Sequence, residues 1–156
     1  MWLMAPTETS RGGSPVFEQT RRQHQSSRFS TRSVQAPAAV LAGGVVGSAL
    51  RAAISEIFPV TDGRFPTTTL LVNLSGALLL GFYLARRQRA ITARWSLQFW
   101  AIGGLGSFTT FSAFSFEVSR LVATGEGPIA IGYVLASLVG GLAAALLGQR
   151  LGRVVR

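Results

Sequence analysis

The sequence predicts an all-α integral membrane protein with four transmembrane helices, the third of them broken. Three observations predict it. First, 48% of the 156 residues are hydrophobic and only 13% are charged, about half the charged share of a soluble domain; mean hydropathy is +0.38. Second, the charges are segregated, which leaves four long uncharged stretches at 33–50, 65–85, 95–116 and 127–149. Third, the third stretch holds Gly103, Gly104 and Gly106 followed by Thr109 and Thr110, residues that form continuous helix poorly.

Residues 1–35 carry Arg11, Arg21, Arg22, Arg28 and Arg32 among serines, threonines and glutamines. Such a segment has too little apolar surface to fold and reads as a disordered basic tail. It lacks the apolar core of a signal peptide. Its make-up fits an organellar transit peptide or a cytosolic tail, and the functional start can also lie at Met4 or later. Residues 36–156 form the membrane domain.

Crossing the hydrocarbon core takes about 20 apolar residues in a helix. The first stretch reaches that length if its helix continues through Arg51, so the first span is expected over 37–58. The second is expected over 66–85, the third over 95–121 and the fourth over 128–149. Pro128 suits a first helical position. The links at 59–64, 86–94 and 124–127 are too short to hold a catalytic domain. Four helices enclose little, so a partner subunit is expected.

Several functions are excluded outright. Cys is absent and His24 is the single histidine, so no thiolate chemistry or multi-histidine metal site is available. No phosphate-binding GxxxxGK[ST] run and no HExxH occurs. All 15 basic residues are arginine and net charge is +9, which suits nucleic acid or a membrane surface. The segregation of charge points to the membrane, and the tail lacks the aromatic interleaving of a nucleic-acid binder.

Polar groups inside the bilayer are costly, so their placement is informative. Thr69, Asn73 and Gly76 share one stripe of the second helix. Tyr133, Ser137 and Gly141 share one stripe of the fourth, beside a small-residue stripe of Gly140, Ala144 and Gly148 suited to close helix contact. Gly43 with Gly47, and Gly44 with Ser48, repeat that spacing in the first helix. In the third stretch Phe111 and Phe114 share a face, as do Ser112 and Ser115. A helix broken beside them exposes backbone groups at membrane depth, which commonly coordinate ions. No carboxylate lies in the middle of a span; Glu56, Asp62, Glu117 and Glu126 fall near ends or in links. The remaining groups are donors: an amide, hydroxyls and the electropositive edges of phenyl rings. Together with Arg51 they suit a small, strongly hydrated anion.

The segments GGVVGSALR (43–51), TTTLLVNLSGALLLG (67–81), GGLGSFTTFSAFSFE (103–117) and YVLASLVGG (133–141) resemble the Fluc (CrcB) family of fluoride channels over roughly residues 40–150. The TTFS run behind glycines, with the upstream VN-xx-G, is the distinctive part. Ala113 departs from the Ser or Thr of the family pattern. The resemblance implies four-helix subunits paired antiparallel, with two pores per dimer. It implies a fluoride pathway at Asn73, Phe111, Phe114, Ser112, Tyr133 and Ser137, with Arg51 at a vestibule. It further implies a structural Na+ at the dimer centre on the backbone carbonyls of Gly106 and Thr109. A Cβ at Gly106 is expected to force different φ/ψ values there. The expected activity is passive export of fluoride across the cell membrane.

A small four-helix drug or cation exporter shares the length but needs a mid-helix acid. A membrane scaffold explains the small-residue stripes but not Asn73 or the Thr/Phe/Ser segment. A membrane enzyme lacks any nucleophile–base pair. With an even number of spans, both termini share a side with Arg86, Arg87, Arg89, Arg94, Arg150, Arg153 and Arg156, while the far side holds Arg64 and Arg120. Positive charge is retained in the cytoplasm, so both termini are expected there. Such a bias favours one insertion direction, and hence pairing with a paralogue of opposite orientation over pairing with itself.

Overall fold

The structure, a computed structural model, describes residues 32–59, 64–88 and 94–154. Residues 1–31 lie outside it, and with them nearly all of the expected basic tail. Among the described residues every regular element is helical. The elements are α1 (Arg32–Ile57), α2 (Thr67–Arg87), α3 (Arg94–Ser96), a π-helical run (Leu97–Leu105), α4 (Gly106–Phe108), α5 (Phe111–Ala123) and α6 (Gly127–Val154). α1 begins ahead of the expected residue 37 and carries Pro37 inside it.

Among the described residues three helices are long and apolar enough to cross a membrane: Gln35–Ile57, Thr67–Arg87 and Gly127–Val154. The chain is therefore a multi-pass membrane protein. Most large apolar side chains on these helices are exposed, Leu41, Leu71 and Leu142 among them. Outward apolar faces of this kind are what a lipid solvent requires. The third apolar stretch is assembled from pieces. In its π-helical run the Gly106 N–H reaches the carbonyl of Ala101, five residues back. Such wide turns are rare and concentrate at functional sites.

Glycines set the close helix contacts. α2 and α6 run parallel, with Gly140 against the Leu74 side chain, Gly148 against the Leu78 carbonyl and Gly152 against the Phe82 carbonyl. α1 and the π-helical run are also parallel, with Gly43 against the Phe99 carbonyl and Gly47 against that of Gly104. At Gly47 and Gly148 backbone touches backbone, and no side chain fits between. Without a hydrophobic force between helices in lipid, such close approach supplies the packing energy.

The parallel pairs place the described ends unambiguously. The C-terminal ends of α2 and α6, with Arg86, Arg87, Arg150 and Arg153, lie together. A compact apolar cluster sits toward the other end, where buried Leu121, Ala130 and Tyr133 pack with Phe65, Leu70 and Phe114.

Candidate functional site

The helix breaks at Thr109 and Thr110, not at the glycines before them. Both threonines are extended, at φ −75°, ψ 155° and φ −143°, ψ 118°. Gly106 is ordinary helix at φ −64°, ψ −31°, and a Cβ there meets nothing closer than 3.7 Å. The expected sensitivity of Gly106 to an added Cβ is therefore corrected. Gly103 and Gly104 serve the approach to α1 instead. The threonines break the chain because their hydroxyls cap both halves. Thr109 Oγ1 donates to the Leu105 carbonyl at 3.0 Å. Thr110 Oγ1 accepts the Ala113 N–H at 3.1 Å as the N-cap of α5, the ordinary use of threonine at that position.

Side chains from two other helices hold the break. Asn73 Nδ2 donates to the Thr110 carbonyl at 3.1 Å, and Asn73 Oδ1 accepts the Thr110 N–H at 2.8 Å. Arg51 Nε donates to the Ser107 carbonyl at 3.2 Å. A cation there also faces the negative end of the first half-helix. Arg51, expected at a vestibule, is thus bonded to the broken segment.

These bonds decide which carbonyls lose their helical donors. In a continuous α-helix the Gly106 carbonyl accepts from Thr110 and the Thr109 carbonyl from Ala113. The Thr110 N–H instead goes to Asn73, and the Ala113 N–H to Thr110 Oγ1. The two carbonyls expected to hold a cation are thus among those that lose their helical donors at the break.

A cavity of about 400 Å³ lies beside the break. Asn73, Gly106, Thr109, Phe111, Phe114 and Ser137 line it together. Phe111 is 79% exposed, and its ring centroid lies 5.8 Å from that of Phe114. Ser137 Oγ is buried with no hydrogen-bond partner. Asn73 has spent one of its two amide hydrogens on Thr110, and one remains.

Two expected site residues lie elsewhere. Ser112 is exposed and pairs with the Thr110 hydroxyl at 3.1 Å. Tyr133 is fully buried, behind Phe114 at 5.2 Å and edge-on to Phe65 at 5.5 Å. Its hydroxyl donates to Glu117 Oε2 at 2.7 Å, while Thr69 Oγ1 donates to Oε1 at 2.6 Å. Sequence reasoning missed this acid by assigning it to a helix end. Glu117 lies seven residues past the break, roughly 10 Å along α5, and it is partly buried. A hydroxyl donor thus bonds each of its oxygens. The stripe of Thr69 with Asn73 carried the missed signal.

Family comparison now settles the lineage. Residues 38–149 match the family described as CrcB-like protein, Camphor Resistance (CrcB). The chain belongs to the CrcB family. Relatives of this CrcB chain include a "Fluoride-specific ion channel FluC 3" of Streptomyces avermitilis, 43% identical over 75% of this chain and 58% of that protein. A "Fluoride-specific ion channel FluC 2" of Moorella thermoacetica is 41% identical over 68% of this chain and 87% of its own length. The "Fluoride-specific ion channel FluC" of Deinococcus radiodurans is 40% identical over 70% and 89%. The chain thus covers little more than half of the Streptomyces relative and nearly all of the other two.

Proposed function

We propose that this CrcB chain is a subunit of a fluoride channel that lets fluoride leave the cytoplasm passively. The observation that carries the reading is the cavity at the break. It gathers the rings of Phe111 and Phe114, the remaining amide hydrogen of Asn73 and the unpartnered hydroxyl of Ser137. Fluoride sheds water only for several short hydrogen bonds, and these are donors with no basic site to trap it. The names of the relatives support the same anion. A channel, not an enzyme, fits this site, because its groups are donors and apolar walls.

The broken segment would supply a fourth crossing. One face of it, with Phe111 outward, suits an antiparallel partner subunit and a second pore. A Na+ at that interface would be held by the carbonyls of Gly106 and Thr109 from each subunit. Their diverted donors leave oxygen lone pairs, the ligands that a hard cation takes. The ion would neutralise facing carbonyl dipoles and fix the interface. The arginine-rich end would face the cytoplasm with both termini, and the partner would be a chain of opposite orientation.

Fluoride efflux from liposomes containing the purified protein tests the reading, with chloride as control. Fluoride release without chloride release is expected, from this chain alone or together with an oppositely oriented CrcB chain. Equal release of both anions, or none in either preparation, overturns it.

A further inference from the structure

A groove on another face of α2 has no part in this pathway. It encloses about 310 Å³ between α1, α2 and the π-helical run. Leu50, Leu79, Phe82, Trp100 and Phe108 make its walls almost wholly carbon. It runs from the level of Gly47 and Gly104 toward the end where α2 finishes at Arg87.

The mouth of the groove is built differently from its walls. Beyond Tyr83, α2 continues for one turn into Arg86, in helical register with Leu79, Phe82 and Tyr83, and Arg87, in register with Tyr83. Nη1 of Arg87 is buried and has no hydrogen-bond partner. A buried guanidinium nitrogen without an acceptor is unfavourable and calls for an anion. Trp95 and Trp100 are each about half exposed nearby, as aromatic residues are at the headgroup level of a bilayer. The Tyr83 hydroxyl and Ser96 Oγ pair at 2.9 Å, which ties α2 to the end of α3 beside the opening.

We propose that the groove is a binding site for an anionic phospholipid from the leaflet at the arginine-rich end. One acyl chain fills the apolar trough, and the phosphate sits at the end of α2 where it meets Arg87. Basic pockets between membrane helices recognise such headgroups. The trough supplies affinity for the chain, and the arginine supplies selection for charge.

Quenching of tryptophan fluorescence by brominated lipid tests this without reference to fluoride flux, so it fails or succeeds independently of the channel reading. The chain has three tryptophans. In a Trp2→Phe background the remaining two, Trp95 and Trp100, report on the groove. The full chain is placed in phosphatidylcholine vesicles and titrated with brominated phosphatidylglycerol or brominated phosphatidylcholine. The anionic lipid should quench at several-fold lower mole fraction. Arg86→Gln/Arg87→Gln should lower that preference roughly fivefold or more, and Arg87→Lys should keep most of it. Quenching by the zwitterionic lipid should be unchanged in these variants, which shows that the helices remain in the bilayer. Arg150→Gln/Arg153→Gln removes equal charge at the same end and should leave the preference intact. Equal quenching by both lipids in the parent overturns the proposal. So does an unchanged preference in the first double variant, or an equal loss in the second.

Discussion

Asn73 and Thr110 sit on separate segments and exchange two hydrogen bonds, at 3.1 and 2.8 Å. The amide oxygen replaces the helical acceptor that the Thr110 N–H has given up, and the amide nitrogen adds a donor to the Thr110 carbonyl. A group costly to bury in lipid is thereby paired with a backbone equally costly to leave open. The same amide keeps one hydrogen for the cavity, so in the proposed channel structure and transport would draw on one side chain.

Asn73→Asp retains the acceptor for the Thr110 N–H but loses the donor to its carbonyl, and it brings negative charge to the anion path. Fluoride efflux should fall by two orders of magnitude or more, and further than in Asn73→Ser. Both variants should lose stability on the order of 1–3 kcal/mol. Liposome efflux and thermal unfolding in detergent measure the two effects. Normal flux through the Asp variant would remove Asn73 from the pathway.

The two phenyl rings separate function from packing. Phe111 is largely exposed, so Phe111→Ile should leave subunit stability nearly unchanged while fluoride flux drops strongly. Phe114 packs on Tyr133, and Phe114→Ile should cost about 1 kcal/mol as well as flux. Wild-type flux in both variants would reduce the rings to interface filling.

Glu117 depends on its two hydroxyl donors. Tyr133→Phe leaves one oxygen of a partly buried carboxylate without a partner and should cost on the order of 1–3 kcal/mol. Thr69→Val does the same to the other oxygen. Because both act on one carboxylate, the double variant should deviate from additivity by 0.5 kcal/mol or more, as coupled sites do. Strict additivity in thermal unfolding would mean that the three groups do not form a unit.

The proposed Na+ on the carbonyls at the break would make the protein depend on the cation present. Exchange of Na+ for a large organic cation during purification should weaken the dimer and lower fluoride flux together. Gly106→Ala should be tolerated by the subunit, since its backbone is ordinary helix with room for a methyl group. Full dimer stability after exhaustive exchange would argue against a cation on the Gly106 and Thr109 carbonyls.

Topology can be read in whole cells because the chain has no cysteine of its own. Single cysteines at Gln88 and Glu126 should behave differently, with only the second labelled from outside. Equal external labelling of both would reveal insertion in two directions and favour self-pairing.

Three apolar stretches of membrane length were legible in the sequence, because bilayer thickness acts on local composition alone. So was the shared face of Phe111 and Phe114, which helical periodicity dictates, and the special standing of Asn73, an amide in a run of leucines. The break was legible only as a region. Its glycines drew attention because they are weak helix formers, yet they serve contact with α1, and the capping threonines end the helix. The partners were not legible at all. Asn73 finds Thr110 across 37 residues, Thr69 finds Glu117 across 48, and Arg51 finds Ser107 across 56. Hydropathy records that a polar group lies in lipid and must be satisfied. Which group satisfies it depends on how helices approach through Gly47 and Gly148, and that distance exists only in the folded chain.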